Sequence, residues 1–466
     1  MPRYFTRILI ILVVCLTLIL ALVVARPTSP TLAASANITL SGTSGPPTTS
    51  VQIHGRGFKS KETIVLTFDT TQLRTTTASG TGTFSATITI PSAAVPGNHI
   101  IQAKGHTSAL SAQATFLVQT NWVQSGFNRE HTNFNPFENV LNSTSALVTR
   151  WTFNTGGCAC STPSVANGII YFGGSSFYAL NATTGAFVWS YANVGSYSTP
   201  AIDNGLVYFS SGSTMYALNA TTGAFVWNYT NRTGQGYTSP LTANGKVYVG
   251  SSDGKVYTFD GTKGTLLWSY TTGGPIYSPL TLDNGNLYIS ANKLYVLNAT
   301  TGAFVWSYTT GSSVSSVTMA NNIVYVSSDK LYALNETTKA LMWIYNGSAP
   351  AVANGLIYTT PFSSGNTILN PLNATTGKLV WSHDSSENGG DYIGAPVVAN
   401  GVVYTIGGGW GPTSGIMLAF NATTGAFLGG IYDSNQTSGA GTSAVVVNGM
   451  LYVGMGEDPI IFAYGL

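Results

Sequence analysis

The segment YALNATTGAFVW occurs at residues 178–189 and again, unchanged, at 216–227. Variants follow as YTFDGTKGTLLW at 257–268, YVLNATTGAFVW at 295–306, YALNETTKALMW at 332–343, PLNATTGKLVW at 371–381 and LAFNATTGAFLG at 418–429. Trp189, Trp227, Trp268, Trp306, Trp343 and Trp381 are therefore 38, 41, 38, 37 and 38 residues apart. A period near 40 in a strand-rich chain marks the blades of a β-propeller.

Each repeat divides into four strands. In the second, Thr199-Pro200 opens the first strand, and an Asn204-Gly205 turn of the kind that favours primed hairpins leads to a strand holding Tyr208. The third strand holds Tyr216 and Leu218. The NATTG turn, where Gly223 frees the backbone from a Cβ clash, leads to the fourth, with Phe225 and Trp227. Strict alternation predicts Phe225 and Trp227 on one face and Val226 on the other. Second strands carry Tyr171, Tyr208, Tyr248, Tyr288, Tyr325, Tyr358, Tyr404 and Tyr452, which predicts eight blades. The chain ends at Leu466 after only the third strand of the eighth unit. RWTFNTG at 150–156 places Trp151 ahead of any first strand, so this segment is expected to supply the missing strand and leave no open edge.

Composition agrees with an all-β chain. Only 7% of the 466 residues are charged, against roughly 25% in ordinary soluble domains. Asn, Thr, Ser and 53 Gly supply polarity instead, beside 44% hydrophobic residues. Disorder is excluded, because disordered chains combine low hydrophobicity with high charge. Helical bundles and coiled coils lean on Ala, Glu, Lys and Leu, and are unlike this chain. Residues 37–119 carry +3 and residues 120–466 carry −4, with no basic stripe in either. No nucleic-acid partner is expected.

Residues 1–36 contain the uncharged run Ile8–Ala25 behind Arg3 and Arg7, at the length where an export signal and a membrane anchor are hard to separate. Ala34-Ser35-Ala36 offers a cleavage site. Either reading places the rest of the chain outside the cytoplasm, secreted or anchored to the cell membrane, with membrane contact only through this segment. Cys15 lacks the small residue before it that a lipoprotein signal needs. Cys158 and Cys160, in GGCACS, suit either two small thiols in a loop or a tight disulfide; two thiolates fall short of a zinc site.

Residues 37–119 show short strands at Ile38–Leu40, Val51–His54, Thr63–Phe68, Phe84–Ile90, His99–Ala103 and Ala114–Val118, the spacing of a small β-sandwich. TSGPPTTSVQIHGRGF at 43–58, with Gly55, Gly57 and Phe58, resembles the opening of immunoglobulin-like (IPT/TIG-type) domains, which implies a spacer or adhesive module. Residues 120–466 resemble the pyrroloquinoline-quinone (PQQ)-like repeat family of eight-bladed propellers, whose docking consensus is A-x-D-x-x-T-G-x-x-x-W. Ala179, Asn181, Thr184, Gly185 and Trp189 match it, as do Ala217, Asn219, Thr222, Gly223 and Trp227, with Asn for Asp; Asp260 keeps the acid. Trp122 to His131 and Asn135 to Glu138 resemble the family's lead-in.

The resemblance implies that Trp151, Trp189, Trp227, Trp268, Trp306, Trp343 and Trp381 dock one blade on the next. It also implies two functional readings. Quinoprotein dehydrogenases, acting on alcohols or sugars, hold PQQ against a disulfide of adjacent cysteines and bind Ca²⁺ through carboxylates. This chain has no adjacent cysteine pair, so PQQ is not expected and no catalytic residue is assigned. Non-catalytic members, among them an outer-membrane assembly lipoprotein, use the ring as a scaffold, and a monomeric binding or scaffolding protein is the expectation here.

Loop length locates a candidate patch. HDSSENGGDYIG at 383–394, GGGWGPTSG at 407–415, MGEDP at 455–459 and GGCACS at 156–161 fall on one face in neighbouring blades. They are expected to gather Asp384, Glu387, Asp391, Trp410, Glu457, Asp458, Cys158 and Cys160 for a protein or glycan ligand, with Ca²⁺ the metal such carboxylates would suit. His383 is expected to end a strand and His131 to cap the lead-in; neither is assigned catalysis. Asn181, Asn219 and Asn298 lie in glycosylation sequons that turn chemistry alone also explains.

Overall fold

Alternating apolar residues and turn-forming dipeptides leave little for helices to use, and the one helical element among the described residues is a 3-10 turn, Ser385–Asn388. The computed structural model describes residues 35–466 apart from 160, 232, 234–235, 349, 362–366, 389–391, 409–414, 433–442 and 455–458. The run Ile8–Ala25 lies outside them. Among the described residues no helix is long and apolar enough to cross a membrane. The chain forms two compact units: residues up to Ile90 together with Asn98–Leu117, and Pro91–Gly97 together with Val118–Leu466.

The first unit contains two sheets. One orders Asn37–Leu40, Ser50–Arg56 and Phe84–Thr89; the other orders Ser44–Gly45, Ser111–Val118, Gly97–Gly105, Thr63–Phe68 and Thr71–Thr77. Val51 and Ile53 point inward beside Phe84, Ala86 and Ile88, the period-two burial of a sheet with one wet face. The strand Thr71–Thr77 was not anticipated. TQLRTTT buries no residue fully, so no alternation announces it.

The second unit is a series of antiparallel sheets, most with four strands in simple chain order, and the innermost strands of several neighbours lie against one another. The Asn-Gly turns have positive φ at both residues, 49° at Asn204 and 76° at Gly205, as primed hairpins require. The strand Val148–Asn154 pairs antiparallel with the last strand, Ile460–Gly465, so Trp151 belongs to the C-terminal sheet.

Alternation fails at one recurring place. Trp227 pairs with Ala217 but Phe225 pairs with Leu218, so Val226 is the extra residue of a β-bulge. Trp227 is consequently buried, whereas Phe225 is 51% exposed and Val226 is exposed beside it. The expected shared face of Phe225 and Trp227 is therefore wrong, and the same slip recurs at Trp189, Trp268, Trp306 and Trp343.

The bulge aims each tryptophan at the next sheet. Trp189 Nε1 donates to the Ala220 carbonyl at 3.0 Å, and Tyr171 Oη donates to the same oxygen at 3.1 Å. Gly261 receives Trp227 and Tyr208, Ala374 receives Trp343 and Tyr325, and Ala422 receives Trp381 and Tyr358 in the same way. Ala182 receives Trp151 and Tyr452, both at 3.0 Å, which joins the C-terminal sheet to the first. The turn that presents each carbonyl is held by its asparagine: Asn219 Oδ1 accepts the Thr221 and Thr222 amides at 3.0 and 2.9 Å. That bonding accounts for the asparagine as turn chemistry.

Gly223 separates the docking contact from backbone conformation. It has φ 71°, and a Cβ there would lie 2.6 Å from the Trp189 ring; Gly205 has φ 76° with open space around it. Gly205→Ala should cost only the left-handed backbone strain, about 1 kcal/mol. Gly223→Ala should add about 1 to 3 kcal/mol of overlap with the indole. Denaturant midpoints measure the difference, and equal losses would remove the glycine from the docking contact.

Candidate functional site

The lead-in is polar, aromatic and without period, and it finds its partners through backbone groups. Trp122 exchanges backbone bonds with Val165 in the first repeat sheet, Val123 O accepts Ile202 N at 2.8 Å, and Gln124 Oε1 accepts Thr242 N at 3.3 Å. Arg129 O then accepts Leu282 N, Glu130 O accepts Met319 N, Thr132 O accepts Val352 N and Asn133 O accepts Val398 N, all at 2.8 to 2.9 Å. Phe134–Asn135 pairs parallel to Val397–Ala399, and Asn135 Nδ2 donates to Val446 O at 2.9 Å. Residues 122–135 thus bond the first strand of each repeat sheet in chain order, so the lead-in occupies the space those strands surround.

A cavity of about 140 Å³ remains beside this segment, lined by Trp122, His131, Thr162, Ser316, Thr318 and Ser443 among others. Two wall groups lack hydrogen-bond partners, Trp122 Nε1 and Ser316 Oγ, and Thr132 Oγ1 is likewise unpartnered. His131 sits at φ 55°, with Gly126 so close that a Cβ there would meet the His131 Cα at 2.8 Å. Burial pushes the His131 imidazole down to about 4, so it is neutral at pH 7. The wall offers hydroxyls, an indole N–H and a neutral imidazole, and no carboxylate or cation. This array can hydrogen-bond a small polar guest or a few waters. The lead-in's resemblance pointed to the segment, but nothing in its spacing revealed that it threads the sheets.

Most of the expected loop patch lies outside the described residues. Asp391, Trp410, Glu457, Asp458 and Cys160 fall outside the described residues. Asp384 is exposed in the two-residue strand His383–Asp384, where its carboxylate accepts the Ser386 amide at 3.0 Å; that bond foremost holds its pKa below the ordinary value. Glu387 belongs to the 3-10 turn Ser385–Asn388. Cys158 is disulfide-bonded, which of the two readings of GGCACS leaves out the pair of free thiols. His383 opens the two-residue strand His383–Asp384 rather than ending one, with its ring 4.7 Å from that of Phe420.

The family model described as outer membrane protein assembly factor BamB matches residues 148–229, 173–281 and 271–464. No curated protein is similar enough in sequence to match. Among solved structures, BamB from Moraxella catarrhalis is 18% identical, with 69% of this chain covered, 100% of that chain and a TM-score of 0.57. Quinohemoprotein alcohol dehydrogenase ADHIIG from Pseudomonas putida HK5 is 15% identical, covering 74% of this chain and 80% of that one, with a TM-score of 0.61. The corresponding enzyme from Comamonas testosteroni gives 15%, 74%, 80% and 0.58. These likenesses show a β-propeller fold.

His131 makes a test of the interior. Its folded pKa of about 4 lies below the ordinary 6.5, so the unfolded chain takes up the proton first as pH falls. The residue's contribution is complete above pH 6.5 and is lost between there and about pH 4. His131→Asn, which tolerates positive φ, should flatten that acid slope of the urea midpoint. Parallel slopes for parent and variant would show that His131 is not buried neutral.

Proposed function

The chain belongs to the PQQ-like repeat family of outer membrane protein assembly factor BamB, and on that premise we propose that it is an exported, non-catalytic binding or scaffolding protein. The repeat sheets form an eight-bladed ring, with Val148–Asn154 completing the last blade, and the N-terminal sheets act as an immunoglobulin-like spacer. Residues 1–36 serve as signal or anchor, and the protein works as a monomer at the cell surface on a protein or glycan ligand. One observation carries this reading: the chain's own residues 122–135 bond the first strand of each repeat sheet, which in a closed ring would fill its middle. A ring filled in this way presents its loops on a rigid frame.

The dehydrogenase alternative requires PQQ and Ca²⁺, and the cavity beside the lead-in does not suit them. The cavity beside the lead-in measures about 140 Å³, well below the 300–1,000 Å³ typical of small-molecule sites, and no carboxylate lines it. Ca²⁺ takes about six to eight oxygen ligands, and among the described residues no group of three or more His, Cys, Asp and Glu is placed to hold a metal.

Two measurements test the proposal. Incubation with PQQ and Ca²⁺ should give no dye reduction across a panel of alcohols and sugars, and any substrate-dependent reduction would overturn it. A photo-crosslinking residue at Ser386, on the loop face, should capture an envelope protein or glycan on intact cells, while one at Thr183, in a repeat turn, should not. Equal capture, or none from Ser386, would count against a loop-borne ligand site.

A further inference from the structure

The docking pattern is absent at the seam that follows Trp268, and a cleft occupies it. The sheet of Leu241–Ala243, Lys246–Gly250, Lys255–Asp260 and Leu266–Thr271 adjoins that of Thr281–Asp283, Asn286–Ser290, Leu294–Asn298 and Phe304–Tyr308. By analogy with the other seams, Trp268 Nε1 and Tyr248 Oη should both donate to the Ala299 carbonyl. Trp268 Nε1 has no partner, and no described donor reaches Ala299 O. Tyr248 is only 2% exposed, yet its hydroxyl bonds nothing described and borders a cavity of about 140 Å³.

The walls of that cavity are unusual in a chain with 7% charged residues. Arg129 and Glu130 reach it from the lead-in, and Lys246 and Asp283 from the two sheets. These charges do not neutralise one another by contact: the one ion pair among the described residues joins His99 to Asp69, in the other unit. No described side chain or backbone group hydrogen-bonds the Arg129 guanidinium, and Lys246 Nζ reaches only Thr300 O, at 3.4 Å. Burial foremost, and then the Asp283 charge, push the Glu130 carboxyl up; burial and Glu336 push Asp283 up. The Asp283 carboxylate accepts the Asn284 side-chain amide at 3.1 Å, and charges of both signs face one small space with no ion pair between them.

We propose that this cleft binds a small α-amino-acid-type zwitterion, its carboxylate on Arg129 and Lys246 with one oxygen within reach of the Tyr248 hydroxyl, and its ammonium on Glu130 and Asp283. The site lies at a repeat seam, shares no residue with the loop patch, and does not depend on the surface-binding reading. A ligand with one charge would satisfy half of the wall and leave the other half unpaired, so discrimination against such halves is the signature.

Saturation-transfer NMR on the full chain tests it with glycine and L-alanine, and with acetate and methylammonium as the separate halves. Saturable transfer to the amino acids is expected, with each half at least tenfold weaker. Arg129→Gln and Lys246→Gln should each weaken alanine tenfold or more. Tyr248→Phe should weaken it without lowering the melting temperature, because that hydroxyl holds no seam. Tyr208→Phe, which loses its bond to Gly261 O, should lower the melting temperature and leave alanine binding intact. Absence of saturable transfer overturns the proposal, as does acetate binding equal to alanine, or retention of parental affinity in both Arg129→Gln and Lys246→Gln.

Discussion

One carbonyl oxygen with two donors holds each intact seam of the propeller. A carbonyl has two lone pairs, and an indole N–H and a phenol O–H from the preceding sheet fill both. Each such bond contributes about 0.5 to 1.5 kcal/mol net, but an unmatched buried donor costs more than a made bond returns. Tyr and Trp must therefore arrive together, from the second and fourth strands of one sheet, at one turn. The rest of the repeat follows from that demand. The bulge turns Trp227 inward and pushes Phe225 outward, Gly223 withdraws its side chain from under the indole, and Asn219 fixes the turn that carries the oxygen.

The exceptions show what the rule controls. In the fifth repeat turn Lys339 replaces glycine at φ 63°; its ammonium takes the Glu336 carbonyl and lies 4.8 Å from the centre of the Trp306 ring. Trp306 Nε1 is then left without a partner, and Tyr288 turns to the Glu336 carboxylate at 2.7 Å. There the seam is rebuilt with a cation over the indole face. At Ala299 nothing replaces the missing donors, and space opens instead. One repeat architecture thus yields a closed seam, a substituted seam and a cleft.

The repeat period made the strands, the Asn-Gly turns and the docking tryptophans legible, because each depends on local spacing. Position on a strand was less legible. Strict alternation assumes an unbroken ladder, and the bulge at Val226 breaks it without altering a single residue's hydrophobicity. The lead-in was opaque for a different reason: apart from Gln124 and Asn135, its bonds to the sheets run through backbone groups, which any sequence possesses. The loop patch had been placed from loop length and residue type, and Asp384 spends its carboxylate on its own loop at Ser386. Arg129, Lys246 and Asp283 lie more than a hundred residues apart at their extremes, so only the fold brings them to one cleft.

The scarcity of charge acquires a physical sense from the turns. The capping position accepts Asp as readily as Asn, and Asp260 makes the same bonds to Thr262 and Lys263 that Asn219 makes to its threonines. Because every repeat turn emerges on one side of its sheet, Asp throughout would line that side with like charges and impose a strong negative field. Asn keeps the cap and removes the field. The Asn-Gly turns on the same side are also uncharged, so the mixed charges around Arg129 stand in a nearly neutral surround. In such a setting a few charged groups dominate the local potential, Glu336 beside Asp283 among them.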